Sequence, residues 1–360
     1  VEGVRTDVRI VNSSLLGTDW YIDQMKCRFY ESDPLAISIP RKQYLYGTND
    51  FTPVVDAVDR AVPAAAAMAI FKDERYTRDG MDFIPTHKLT VPVDKENAIR
   101  SGIVPKDRED MIEDAITLEI SGNNITKFNL IMLDILANYD WSRPIYFVSR
   151  GETTLGIEPW LQYDGFVYKL VPYRNDPTDR AATIEADLMY DRIMNQYRFA
   201  SLADTTYHVD YQNLFTFTAV VPMRDLFVTT ADGLIAGGEY EKAERILDMC
   251  VEMLPEKNFP YNVSHFRSMN EMSILTMVED YFHIGKTEKA IAVGDRLAAA
   301  TLEALLYYST PVGPGKDDVL SKTYADDAAS IYLYLANIYS AYGQKGASNR
   351  LRSMLNLDDK

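Results

Sequence analysis

Polar and aromatic side chains close to predicted strand ends are the residues of this chain that could bind a ligand. Indole rings combined with carboxylates are what a carbohydrate site would use, and loops at strand ends are where α/β folds bind ligands. The same residues have a packing explanation, in which the two tryptophans anchor helices to a sheet and the arginine pairs with a nearby acid. We favour packing, and both explanations stay open. The residues are Asp19, Trp20, Arg143, Glu158, Trp160 and Asp164.

Motifs that would carry catalysis or hold a metal are missing from the sequence. The four histidines show neither HxxxH nor HExxH spacing, and Cys27 and Cys250 are too few for a multi-cysteine zinc site. There is no GxGxxG after a strand, no GxSxG elbow and no DxD tripeptide that could hold a metal against a diphosphate. We therefore predict no catalytic residue, no metal and no cofactor in these 360 residues.

Charge and hydropathy limit the classes of partner. The formal net charge is −16, whereas proteins that bind nucleic acid or anionic lipid present clustered lysines and arginines. We predict no nucleic-acid partner. The longest apolar run, residues 63–71, has about half of the roughly 20 residues that cross a bilayer. Any membrane attachment is therefore expected to lie outside this sequence.

The first half of the chain reads as alternating strands and helices. Strands separated by helices of ten or more residues imply a mostly parallel sheet with packed helices. We predict an α/β domain over residues 1–175, in which Pro85 and Pro92 confine the extended segment 81–94 to an edge or an irregular ribbon. The predicted strands are 7–12, 116–120, 143–149 and 166–172, and the predicted helices are 18–29, 126–140 and a short one within 156–165.

The second half carries a repeat. GEYEKA at residues 238–243 recurs as GKTEKA at 285–290 and, degraded, as GQKGAS at 343–348, with a large residue four positions before each glycine. This resembles the tetratricopeptide (TPR) pattern, in which glycine turns the chain between two helices and a small residue lets them approach. An ordinary helical bundle is the alternative.

The repeat predicts the organisation of the second half. We predict a connecting segment over residues 176–222 and TPR-like helical hairpins over residues 223–360. The repeat position that faces the groove is acidic in two copies, which would favour a basic or polar segment. The groove residues are Asp232, Glu279 and Asn337.

Four segments together resemble one known family. They are residues 1–26, FIPTHKLTVPVD at 83–94, NLIMLDILANYDWSRPIYFVS at 129–149 and GIEPWLQYDGFVYKLVP at 156–172. In this order they resemble the soluble C-terminal part of the DUF2723 membrane proteins, which are related to the TMEM260 protein O-mannosyltransferases. The TPR-like tail agrees with the usual ending of that family.

The resemblance implies a parent protein of the GT-C glycosyltransferase type that uses a lipid-linked sugar donor. Its transmembrane helices would precede this sequence and tether it on the periplasmic side of the bacterial inner membrane. In such enzymes the catalytic acid lies between early membrane helices, so no catalytic residue is carried over to this chain. The implied partners are the membrane domain itself and a protein or glycan acceptor.

Three functions fit these expectations. The favoured one is a non-catalytic accessory domain whose helical repeats hold a protein partner or acceptor. The alternative is a carbohydrate-binding or residual glycosyltransferase-associated module in the α/β domain. A purely structural role, bracing the membrane enzyme or an oligomer, is also compatible with the sequence.

Overall fold

The computed structural model consists of two compact units. They comprise Val1–Tyr163 with Val167–Thr178, and Asp164–Phe166 with Asp179–Lys360. An α/β part followed by an all-helical part confirms the predicted fold class. Among the described residues, no helix is both long and apolar enough to cross a lipid bilayer. The residues described are 5–149, 151, 153–176, 181–210, 220–262, 269–309 and 319–355.

The described residues of the α/β part form short strands and helices. The strands are β1 (Phe51–Pro53), β2 (Val62–Pro63), β3 (Lys88–Pro92), β4 (Ala115–Glu119), β5 (Asn124–Thr126), β6 (Tyr146–Phe147), β7 (Leu161–Asp164) and β8 (Val167–Leu170). The helices are α1 (Asp19–Met25), α2 (Ala64–Lys72), α3 (Lys95–Arg100) and α4 (Lys127–Ala137). Short 3-10 turns cover Leu15–Gly17, Arg41–Gln43, Lys106–Met111 and Glu158–Trp160.

The strands form three small sheets within the described residues, and the prediction of a mostly parallel sheet is wrong. The sheet orders are β1-β5, β2-β3-β4 and β6-β8-β7. Of the registered pairings only β2 with β3 is parallel, and the other three are antiparallel. Helix α4 joins β5 of one sheet to β6 of another. Alternation of strand and helix along the chain therefore does not make a βαβ crossover here.

Two predicted strand positions are also wrong. Residues 7–12 form no strand, and Val8 and Ile10 are exposed, so β-branched residues bring no burial to support pairing there. The sequence also predicts residues 8–11 in a sheet beside 145–148 or 166–171, but those two strands pair with each other, Tyr146 opposite Lys169. In the segment 81–94, residues 81–87 are irregular with isolated bridges at Met81 and Ile84, which fits the predicted ribbon. Strand β3 is central rather than at an edge, because Pro92 is its last residue and removes no hydrogen bond from its middle.

Two buried indoles attach neighbouring segments to the sheet of β3 and β4. The Trp141 Nε1–H donates to the Pro92 carbonyl at 2.8 Å, and the Trp160 Nε1–H donates to the Thr117 carbonyl at 2.7 Å. Each ring therefore gains apolar burial and a partner for its single donor.

The second unit is helical, and its described residues contain three antiparallel helical pairs. Short helix α5 (Ala186–Asp191) runs into a π turn, Arg192–Gln196. The first hairpin is α6 (Val220–Ala236) with α7 (Tyr240–Met253), the second is α8 (Met269–His283) with α9 (Thr287–Ser309), and the third is α10 (Val319–Ala341) with α11 (Lys345–Met354). Helix α6 packs on α8, and α9 packs on α10. The predicted connecting segment lies partly outside the described residues, at 177–180 and 211–219.

The three hairpins share one turn geometry at the repeated motif. Gly238, Gly285 and Gly343 have φ of +79°, +76° and +76°, a conformation that favours glycine. The N–H of the residue after each glycine donates at 2.7–2.8 Å to the carbonyl of Leu234, Tyr281 or Tyr339. Five residues after each glycine stands a buried small residue, Ala243, Ala290 or Ser348. The sequence repeat therefore reflects a structural repeat.

A fully buried arginine closes the first hairpin against the chain that leads to the second. The Arg224 guanidinium donates to Asn270 Oδ1 at 2.6 Å and to the carbonyl of Phe259, and it lies over the Tyr261 ring at 5.2 Å. Burial lowers the pKa of Arg224. Several hydrogen bonds to this cation offset the cost of removing it from water.

Candidate functional site

Asp19 and Trp20 lie at the start of α1 and are the predicted pair that contact each other. Asp19 Oδ1 accepts from the Trp20 backbone N–H at 2.7 Å, and its Oδ2 accepts from the Tyr46 N–H at 3.4 Å. One carboxylate thus fixes the backbone of Trp20 and of a residue in the loop before β1. The Trp20 side chain is 56% exposed and can contact a ligand.

Trp160 and Glu158 lie on the 3-10 turn before β7. Trp160 is only 1% exposed, with Arg174 over its ring at 5.6 Å. Its surroundings fit the packing explanation, and a ligand cannot reach the indole. Glu158 is partly exposed.

Arg143 and Asp164 each have polar partners. The Arg143 guanidinium donates to Ser32 Oγ at 3.1 Å and to the Asp33 carbonyl at 3.3 Å, which ties it to the loop after α1. Asp164 forms an ion pair with Arg192 and is mostly buried. Among the hydrogen bonds, ion pairs and ring contacts within the described ranges, only the contact of Asp19 with Trp20 joins two of the six predicted residues.

An open cleft of about 440 Å³ lies beside the start of α4, and the sequence did not indicate it. Its distinctive residue is Lys127, whose side chain is 4% exposed and whose Nζ lies 2.6 Å from Asp50 Oδ1 and 3.0 Å from the Leu45 carbonyl. A lysine at the start of an apolar helix was the available signal. The lining residues are Ser13, Ser14, Gly17, Asp50, Phe51, Thr126, Lys127 and Phe128.

Two of the predicted groove residues are electrostatic neighbours. Burial raises the pKa of the Glu279 carboxyl, and the negative charge of Asp232 raises it further. Asn337 is exposed and accepts from the Arg352 guanidinium. The structure therefore couples Asp232 with Glu279 across α6 and α8, while Asn337 is engaged within the third hairpin.

A repeated polar contact between consecutive hairpins was missed from the sequence. Asp248 accepts from the Tyr281 hydroxyl at 2.9 Å and pairs with Lys289 at 2.7 Å. In the next pair of hairpins, Asp295 accepts from the Tyr339 hydroxyl at 3.1 Å and pairs with Arg350 at 3.0 Å. The signal was an aspartate five residues after Ala243 and again after Ala290.

Within the described parts of the chain, no group of three or more histidines, cysteines or acidic residues is arranged to hold a metal ion. The two surface features found are a cleft lined by Phe51 and Phe128 in the α/β part and the acidic pair of Asp232 and Glu279 on the hairpins.

Comparison with known proteins gives one match. The family model described as TMEM260-associated domain 2 matches residues 1–188, which is more than half of the chain. No curated protein matches, and no solved structure matches.

Proposed function

The chain belongs to the TMEM260-associated domain 2 family, and from this premise we propose that it is the extracytoplasmic accessory domain of a glycosyltransferase-like membrane protein. In this role it has no catalytic centre of its own. Its helical hairpins, which we take to be TPR-like, hold a protein partner or the acceptor of the parent protein. The parent's membrane domain is the second partner and tethers the chain on the periplasmic side of the bacterial inner membrane.

The coupled carboxylates of Asp232 and Glu279 are the observation that carries the binding role. The negative charge of Asp232 makes ionisation of Glu279 more costly, and a cation beside the two carboxyl groups would relieve that cost. Met272 lies seven residues before Glu279 on α8, hence on the same helical face, and it is exposed. A flexible thioether about two turns from Glu279 on the same helical face suits a partner segment that combines basic and apolar residues.

A charge-reversal pull-down tests the binding role. The tagged chain is incubated with a periplasmic fraction and a detergent extract of membranes from cells that encode it, and captured proteins are quantified by mass spectrometry. We expect a captured partner to be lost with D232K/E279K, because the favourable potential is inverted.

The matched control is E241K/E288K. Glu241 and Glu288 are exposed and occupy the same position of the first two motifs, so this variant changes the net charge equally. The partner should be retained. Equal loss in both variants, or no partner above background, would contradict the binding role.

The two cysteines allow a test of the periplasmic location. Cys27 is exposed, whereas Cys250 is buried, and burial raises the pKa of the Cys250 thiol to about 12. A membrane-impermeant maleimide should therefore label Cys27 in cells with a permeabilised outer membrane and an intact inner membrane. The C27S variant controls for other thiols. Labelling only after lysis of the inner membrane would refute the location.

A further inference from the structure

The cleft at the start of α4 contains a lysine side chain, that of Lys127, whose positive charge does not stabilise the helix. Lys127 is the first residue of α4, where a positive charge opposes the helix dipole. The nearby Asp50 carboxylate compensates this charge, and its own side chain is 52% exposed. Because the pair is formally neutral, the cleft does not select an anion or a cation. Hydroxyl groups of Ser13 and Ser14 add donors and acceptors to the lining.

The loop between residues 45 and 51 is fixed at several points although its aromatic side chains face water. The Leu45 carbonyl accepts from Lys127 Nζ, the Tyr46 N–H donates to Asp19, and the Asp50 carbonyl accepts from the Lys127 N–H at 3.0 Å. Yet Tyr46 is 94% exposed and Phe51 is 71% exposed. A loop with a fixed backbone that holds rings in solvent is organised before a ligand arrives.

Trp20 adds a third exposed ring to the same region. Gly17 lines the cleft three residues before Trp20, and Asp19 links the backbones of Trp20 and Tyr46. Phe51 lines the cleft, and the backbones of Trp20 and Tyr46 are tied to its surroundings through Asp19 and through Leu45, which contacts Lys127. Single exposed aromatics need no explanation, whereas several in one region are typical of a binding surface.

We propose that this cleft and its flanking rings bind a neutral saccharide. The faces of aromatic rings carry negative charge density, which attracts the polarised C–H groups of a pyranose ring. The Asp50 carboxylate and the serine hydroxyls provide the few placed polar groups that orient a ligand in a cleft. The site includes Asp19 and Trp20 from the sequence prediction and excludes the buried Trp160. It does not depend on partner binding by the hairpins.

Tryptophan fluorescence provides the test, because Trp141 and Trp160 are buried and Trp20 is the exposed one of the three. The full chain is titrated with maltose, cellobiose and mannobiose. We expect one of these disaccharides to change the emission saturably and to protect Trp20 from acrylamide quenching. Affinity should fall about tenfold or more in Tyr46→Ala and in Asp50→Asn.

Controls make the outcome decisive. Tyr76→Ala removes another exposed tyrosine, one whose backbone N–H donates to Asp73 rather than to Asp19, and should bind the disaccharide like the wild type. Tyr46 is almost fully exposed, so its loss leaves folding intact, which far-UV circular dichroism checks. No response to the three sugars, or equal affinity in Tyr46→Ala, overturns the proposal. A response only to phosphatidylcholine vesicles also overturns it and identifies a lipid-contacting surface instead.

Discussion

At the residue scale, Lys127 is a mostly buried cation whose removal should destabilise the α/β part. Lys127→Met keeps the apolar stem but leaves Asp50 without its cation and the Leu45 carbonyl without a donor. We expect a loss of about 1 to 3 kcal/mol in the free energy of unfolding, because groups beside a mostly buried site lose their hydrogen bonds. Urea unfolding followed by circular dichroism measures this change.

Lys95→Met is the matched control for this prediction. Lys95 also pairs with an aspartate, Asp114, at 2.8 Å, but both side chains are well exposed. Exposed pairs contribute little to stability, so the control should unfold like the wild type. Equal stability of both variants would show that the contacts of Lys127 are dispensable.

Gly294 on α9 is the second residue with a sharp expectation. A Cβ there would lie 2.4 Å from the Tyr339 hydroxyl oxygen and 3.1 Å from Leu335 Cδ1. Gly294→Ala should therefore destabilise by about 1 to 3 kcal/mol through overpacking, despite the better helix propensity of alanine. Gly346→Ala, where a Cβ meets nothing within 4 Å, should be neutral or stabilising.

Removing the hydroxyl tests the cause of this effect. In a Tyr339→Phe background, Gly294→Ala should cost less than in the wild type, which thermal unfolding of the four proteins in a double-mutant cycle measures. Additive costs would mean that the hydroxyl is not the obstacle.

Residue types predicted the chemistry available but not the surroundings of each side chain. Trp20 and Trp160 look alike in the sequence, yet one is exposed and the other donates to Thr117, more than 40 residues away. Burial of that kind is decided by long-range packing. The cleft was missed for the same reason, since it joins residues 13–17, 50–51 and 126–128.

At the element scale, local patterns predicted the helices better than the sheets. The glycine turns of the hairpins were predictable because all their determinants lie within ten residues, from Leu234 to Ala243 in the first hairpin. Strand pairing was not, since β6 pairs with β8 rather than with the β-branched segment 7–12. The residue pattern of a strand predicts that its side chains can be buried, but it does not predict which other strand will pair with it.

The polar contacts between the first two hairpins predict how stability depends on pH. Hydrogen bonds from Lys289 and Lys286 lower the pKa of Glu244, and hydrogen bonds to Asp248 and Glu244 raise the pKa of Lys289. The contribution of Glu244 to the free energy of unfolding is present above the pKa of Glu244 in the unfolded chain. It is lost as pH falls through the lower pKa that Glu244 has in the folded protein. The contribution of Lys289 to the free energy of unfolding is present below the pKa of Lys289 in the unfolded chain. It is lost as pH rises through the higher pKa that Lys289 has in the folded protein. Both are complete between about pH 5 and about pH 10.

Melting temperatures across this range test the prediction. Lys289→Met should lower the free energy of unfolding near neutral pH by about 1 kcal/mol or less, because the contact is partly exposed. It should also weaken both the decrease in stability at acidic pH and the decrease at alkaline pH. Lys286→Met removes one carboxylate contact instead of two and should have a smaller effect. An unchanged dependence of stability on pH in Lys289→Met would show that other titrating groups cause these decreases.

At the scale of the whole molecule, the family match and the structural units do not coincide. The match ends at residue 188, inside α5 and past the end of the first unit at Thr178. The family match therefore applies to the α/β part and to the first residues of the helical part. The binding role of the hairpins depends on their own residues and needs its own test.

The net charge of −16 predicts how a basic partner would associate. A long-range field steers oppositely charged molecules and acts on the association rate, whereas close contacts set the dissociation rate. Raising salt from about 0.01 M to about 1 M shortens the Debye length from about 30 Å to about 3 Å. Surface plasmon resonance with the captured partner should then show slower association and nearly constant dissociation, while D232N/E279Q should mainly speed dissociation. An association rate independent of salt would mean that the acidic surface plays no part in recognition.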